Sequence, residues 1–222
     1  MVLSTDPWAP FYHPDLEDQG FFTELARRAF RKRGYAVDID FTPWKRALKT
    51  ARFGQSQGVL GAYYKTERTL NFMYSDVVSH SELVFYALAG SGVRIESLED
   101  LRELRVGAIR GYHYTRAFDE ADFFVKEPVD RLEQNIEKLV RGRIDAFVAS
   151  SKVTRWILSQ RLPHYADLLE KTGPPLDVKG LYVLISRAVP NRRELIEDFN
   201  AGLAAIRENG EYAAVLREYG LE

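Results

Sequence analysis

Two apolar periodicities alternate along the chain. Val2 to Thr5 has strand character and stops at Asp6-Pro7-Trp8-Ala9-Pro10, where two prolines exclude regular structure. From Phe21 to Arg33 the apolar positions Phe22, Leu25, Ala26, Ala29 and Phe30 recur at helical spacing. Basic residues crowd the last turn and Gly34 stands at the expected end, so this stretch predicts a helix. Tyr35, Val37, Ile39 and Phe41 then alternate with smaller or polar residues as far as Pro43, which is the period of a strand. A second helix is expected over Trp44 to Arg52, and Gly58-Val59-Leu60-Gly61-Ala62-Tyr63 reads as a buried strand.

The pattern then starts again. Leu83 to Leu88 is an apolar run, Ser97 is placed to cap a helix reaching Leu104, and Val106 to Ile109 is a strand ending at Gly111. Pro128 is expected to open a helix with Leu132, Ile136 and Leu139 on one face, followed by a buried strand from Ile144 to Ala149. Gly173-Pro174-Pro175 is expected to break the chain, and Leu181 to Ile185 is one more strand. Leu195, Phe199, Leu203 and Ile206 share a helical face, Asn209-Gly210 interrupts it, and Tyr212 to Tyr219 forms a last short helix. Strand, helix and strand in parallel series, twice over, predict an α/β protein of two units that meet near Ser79 and again near 173–177. A ligand cleft is expected between such units, at the carboxyl ends of the strands.

Composition narrows the chemistry. A chain of 222 residues, 45% of them hydrophobic, can bury a real core. Its 31 basic and 32 acidic residues nearly cancel, which argues against a phosphate-backbone partner. No stretch approaches the ~18–20 uninterrupted apolar residues of a membrane span. Absence of cysteine removes disulfides, thiol nucleophiles and thiolate metal sites, while leaving the compartment open. No leader is visible before Val2-Leu3-Ser4-Thr5, which is consistent with a cytosolic protein or with a mature domain whose leader has been removed.

Catalytic signatures are sparse. His13, His80, His113 and His164 are scattered, and there is no His-Glu-x-x-His helix, Gly-x-Ser-x-Gly elbow or dinucleotide fingerprint; no metal or cofactor is expected. More informative is Lys65-Thr66-Glu67-Arg68, just beyond a buried strand that ends at Tyr63. An arginine there either presents its planar fork to a ligand carboxylate or pairs with Glu67 or Asp76 on the surface. Trp8 and Trp44, at a loop and an element end, are either lids on a core edge or flat ligand platforms.

The order of these motifs resembles that of the periplasmic solute-binding proteins of amino-acid ABC transporters, the family 3 extracellular binding proteins with the type II periplasmic-binding fold. The resemblance is carried by Asp6-Pro7-Trp8-Ala9-Pro10-Phe11, Gly20-Phe21-Phe22-Thr23-Glu24-Leu25-Ala26 and Phe41-Thr42-Pro43-Trp44, and by Thr66-Glu67-Arg68 with Tyr74-Ser75-Asp76. It continues through Ser97-Leu98-Glu99-Asp100-Leu101, Val106-Gly107-Ala108-Ile109-Arg110-Gly111 and Gly142-Arg143-Ile144-Asp145-Ala146. It implies two lobes, each a mostly parallel sheet flanked by helices and joined by two hinge crossovers: residues 1–79 with 178–222 anchor a ligand, and 80–177 close over it. Arg68 takes the place of the arginine that grips a ligand carboxylate, and Trp8 and Trp44 the places of flanking aromatics. Asp6, Gly61 and Tyr63 complete the first half of the expected site, and Arg110, Gly111, Tyr112, His113 and Ser150 the second.

Two positions depart from the family pattern. Tyr112 and His113 stand where a small hydroxyl residue usually follows the glycine, and Ser150 stands where a carboxylate usually receives the ligand's amino group. A serine cannot neutralise an ammonium in a closed cleft. Arg110, Tyr63 and Tyr112 therefore suit an acidic, aromatic or modified ligand. The implied function is capture of a small carboxylate-bearing solute by a periplasmic monomer, its leader removed, that delivers to ABC-transporter membrane subunits, with neither nucleic acid nor catalysis involved. The alternatives are a sensor module of the same fold and a cyclohexadienyl-dehydratase-like enzyme with His113 or Glu67 as acid.

Overall fold

The structure, a computed structural model, describes residues 1–112 and 114–221. The chain divides into two compact units, Met1–His80 with Gly180–Glu222, and Ser81–Lys179.

The first unit opens with β1 (Val2–Thr5), α1 (Phe21–Arg31), β2 (Asp38–Phe41), α2 (Trp44–Arg52), β3 (Gly58–Tyr63) and β4 (Phe72–Tyr74). β1 lies between β2 and β3 and is parallel to both, the arrangement that strand-helix-strand alternation dictates. The strand expected from Tyr35 begins only at Asp38. Tyr35 is drawn out of line because its ring packs against Phe30, with centroids 5.9 Å apart, while its hydroxyl donates to Asp198 at 2.7 Å.

β5 (Ser79–Leu88) carries the chain into the second unit, which continues with β6 (Arg105–Ile109), α3 (Arg116–Glu120), β7 (Val125–Val129), α4 (Leu132–Val140), β8 (Ala146–Ser150) and α5 (Ser151–Gln160). β6 is parallel to both β7 and β8, and β5 is antiparallel to β8 with Leu83 opposite Ser150. Leu83 and Phe85 on β5, Val106 and Ala108 on β6, and Ala146 and Val148 on β8 each skip one residue, the period of two that puts one face of every strand into the same core with Phe118 and Phe124.

Three expectations are corrected here. Pro128 does not open a helix: it lies in the edge strand β7, where the missing N–H costs no ladder bond, and the helix begins at Leu132 after Arg131. The helix capped by Ser97 is one 3-10 turn, Leu98–Leu101, with the Asp100 carboxylate accepting from the Ser97 backbone N–H at 2.8 Å. Gly173-Pro174-Pro175 does not break the chain, because β9 (Leu169–Ser186) runs through it.

β9 brings the chain back to the first unit, where its far end is antiparallel to β3 and β4. α6 (Arg192–Glu208) and α7 (Glu211–Glu218) follow. α6 packs on α1 through Phe30 and Phe199, whose ring centroids are 4.8 Å apart. Beside it the cluster of Ala51, Val59, Ala62, Phe72 and Leu184 seats α2 on the sheet, with Trp44, Tyr74 and Tyr182 at its margin.

Candidate ligand-binding site

In the first unit the expected residues gather at the ends of β1 and β3. The Thr5 hydroxyl donates to the Leu60 carbonyl at 2.8 Å, tying the two strand ends together. Asp6 follows as a half-buried carboxyl that burial pushes up from 3.8 to about 6, opposed only in part by its own backbone N–H. The loop after it closes on itself, Trp8 N donating to Tyr12 O at 2.6 Å and Tyr12 N to Trp8 O at 3.0 Å. That closure stacks Trp8 on Phe11 (4.3 Å, 8°) and sets its edge against Tyr63 at 5.9 Å.

Gly61 lets the loop and the strand meet. Its φ is +74, the pairing register between β3 and β9 shifts around it, and the freed carbonyl accepts from the Tyr12 hydroxyl at 2.7 Å. A Cβ there would lie 2.1 Å from the Tyr12 ring.

Arg68 stands in the 3-10 turn Thr66–Leu70 that follows β3. Its Nη1 donates to the Tyr63 carbonyl at 3.0 Å, and its guanidinium lies over the Trp44 ring at 5.3 Å. Neither Glu67 nor Asp76 forms an ion pair with it among the described residues. The structure thus joins Arg68, Tyr63, Trp44 and Trp8 through a chain of direct contacts. Of the two expectations for Arg68, pairing with its own acids is not what is found.

In the second unit the expected residues are less closely grouped. Arg110, just past β6, donates to Asp130 at 3.0 Å in an exposed ion pair. Gly111 has a left-handed φ of +76, with nothing within 4 Å of where a Cβ would be. Tyr112 is 53% exposed, and His113 lies outside the described residues. Ser150 is buried at the end of β8, where its hydroxyl accepts from Ser81 at 3.0 Å. Next to it, Ser151 donates to Glu82 at 3.3 Å, and burial pushes the Lys152 ammonium down while Glu82 opposes that shift. Among the described residues no three His, Asp or Glu side chains are placed to hold a metal, and no helix is long and apolar enough to cross a membrane.

A family model for the bacterial extracellular solute-binding proteins, family 3, matches residues 1–222. The chain belongs to this family. No curated protein matches this family 3 chain by sequence. Among solved structures it is similar to substrate binding domain 2 of GlnP from Lactococcus lactis in an open conformation, at 22% identity, with 98% of this chain and 93% of that one covered and a TM-score of 0.75. It is similar to the GluR0 ligand-binding core from Nostoc punctiforme in complex with L-glutamate, at 19% identity, 100% and 99% coverage and a TM-score of 0.76. A third is the amino acid ABC transporter substrate-binding protein AbpA from Streptococcus pneumoniae bound to L-arginine, at 19% identity, 98% and 93% coverage and a TM-score of 0.75. At these identities the likeness is one of fold, the α/β architecture of periplasmic-binding-type proteins.

Three residues of this family 3 protein join the candidate site without having been expected there. Tyr12 locks the aromatic loop to Gly61, Tyr74 accepts from the Lys65 backbone at 3.1 Å beside Arg68, and Ser81 pairs with Ser150. A glycine inside an otherwise buried apolar strand, as at Gly61, was the available signal for the first. For Ser81 there was none, since its partner is 69 residues away.

Proposed function

We propose that this family 3 protein captures a small carboxylate-bearing solute, an amino acid or a close relative, outside the cytoplasmic membrane, and delivers it as a monomer to the membrane subunits of an ABC transporter. The observation that carries the reading is the Arg68 guanidinium, held by the Tyr63 carbonyl and the Trp44 ring and paired with no carboxylate among the described residues. A guanidinium fixed in this way keeps planar N–H donors for a carboxylate, and two parallel hydrogen bonds give both energy and orientation.

Trp44 and Trp8 supply flat apolar surface for the rest of the ligand. Asp6, half-buried at the end of β1, supplies an acceptor for a donor group on it. In this proposal residues 1–80 with 180–222 hold the ligand first, and 81–179 close over it through Gly111, Tyr112 and Ser150. Closure is favoured only by as much as the ligand binds the closed form more tightly than the open one. The Ser150 hydroxyl, already held by Ser81, can take one hydrogen bond from a ligand and cannot balance an ammonium charge. Ligands without a free α-ammonium, or with a second acidic or aromatic group, are therefore preferred over simple neutral amino acids.

A thermal-shift screen of amino acids, their N-acylated forms, simple amines and small carboxylates tests this. Stabilisation by carboxylate-bearing compounds, with the corresponding amides and decarboxylated amines inert, is the expected result. Stabilisation by amines that lack a carboxylate contradicts it.

A further inference from the structure

Between Asp40 and Glu67 the chain has no acidic residue and five basic ones, Lys45, Arg46, Lys49, Arg52 and Lys65, although charge over the whole protein nearly balances. Four of them lie on α2, all exposed. Lys45, Lys49 and Arg52 follow one another at the spacing that places side chains on one side of a helix, while Ala47 and Ala51 of the same helix are buried against the sheet. Among the described residues none of the four pairs with a carboxylate.

The same edge of the first unit exposes two large apolar side chains, Phe53 at 64% and Leu70 at 79%. One turn touches the chain beside each. A Cβ at Gly54 would lie 3.3 Å from that of Ala188, and Arg187 donates from Nε to the Thr69 carbonyl at 2.8 Å and from its backbone N–H to the Asn71 carbonyl at 2.9 Å. Phe53 and Leu70 thus flank an exposed Arg187, with Arg52 lying 5.9 Å from the Phe53 ring.

We propose that this surface, the outer side of α2 with Phe53, Leu70 and Arg187, docks on an anionic lipid surface. Cations along a helix draw it to negatively charged headgroups. Isolated exposed aromatic and aliphatic side chains beside them settle in the headgroup and acyl boundary. The apolar side of α2 is already used by the sheet, so the helix offers no groove for a peptide. An acidic protein would leave Phe53 and Leu70 without a part. The contact is peripheral and reversible, and it involves none of the residues assigned to ligand binding.

The test is flotation of the full chain with phosphatidylcholine vesicles containing about a third phosphatidylglycerol, against vesicles of phosphatidylcholine alone, where each cation near an anionic surface is worth about fivefold in affinity. The protein is expected to float with the anionic vesicles at low salt, to be released at high salt, and to ignore the neutral ones. Substituting Lys45→Gln, Arg46→Gln, Lys49→Gln and Arg52→Gln together is expected to weaken binding at least tenfold with an unchanged melting curve. The pair Phe53→Ser and Leu70→Ser is expected to weaken it several-fold while its salt dependence remains. Failure to float at low salt, equal flotation with neutral vesicles, or a quadruple variant that binds like the parent overturns the proposal. Retention on polyglutamate that matches vesicle binding and ignores Phe53→Ser and Leu70→Ser assigns the surface to an acidic protein and overturns it as well.

Discussion

Arg68 and Asp6 are the two charged groups of the first unit whose surroundings depart most from open water among the expected site residues. Arg68 has one side held by a backbone carbonyl and an indole, so a lysine in its place keeps the charge and loses both the planar fork and the stacking. Asp6 is the opposite case, a carboxyl that burial drives toward its neutral form. Because its folded-state value is raised from 3.8 to about 6, the protonated folded state is favoured below 3.8, and stability is lost as pH rises from there through about 6, after which the cost stays constant. Asp6→Asn removes that cost. It is expected to make the protein about 1–3 kcal/mol more stable than the parent at pH 7.5, a difference that vanishes near pH 3.5. Urea unfolding at the two pH values checks this, and a difference of the same size at both contradicts it. Lowering of the Asp6 value by a bound ligand with a donor group would appear as proton release in the same pH window.

The end of β3 shows what a single element contributes. Gly61 takes a left-handed conformation so that the Tyr12 hydroxyl can reach its carbonyl, and Tyr12 has no room to retreat, since it is 3% exposed and packed against Trp8, Phe11 and Phe22. Gly61→Ala is therefore expected to destabilise the protein by about 2–4 kcal/mol and to weaken ligand binding by disturbing Tyr63 and Trp8, with Tyr12→Phe costing about 1–2 kcal/mol. Denaturant unfolding of both variants decides it; an alanine tolerated within 0.5 kcal/mol contradicts the account.

Elements of this kind also mark where sequence patterning is legible. α2 and β3 form over the residues their apolar pattern predicts: α2 buries Ala47 and Ala51 against the sheet, and β3 is a continuous apolar run buried along all but its last residue. β7 and the first half of β9 do not announce themselves. Both carry prolines and bury little of their length, and pairing with a neighbouring strand of the sheet, rather than local propensity, makes them extended. The site divides in the same way. Arg68, Tyr63 and Trp44 are placed by adjoining elements, whereas the Ser81–Ser150 pair and the Arg110–Asp130 ion pair depend on tertiary placement that no spacing reveals.

At the scale of the whole molecule, each unit has its own apolar core, and the chain passes between them at His80–Ser81 and at Lys179–Gly180. A ligand that binds only the native protein stabilises it by mass action, about 2.7 kcal/mol at a hundredfold excess over Kd. For a chain of 222 residues this corresponds to a rise in Tm of roughly 5–10 °C, and no compound of the right chemistry giving such a rise counts against the proposed capture role. The central claim is that one guanidinium anchors the ligand carboxylate. Isothermal titration of the best ligand from the thermal-shift screen into the parent, Arg68→Ala and Arg68→Lys tests it most directly. Losses of about 2–4 kcal/mol for alanine, some 30- to 1000-fold in Kd, and a tenfold or greater loss for lysine are the predicted result. Either variant binding within twofold of the parent, with its fold intact, would contradict it.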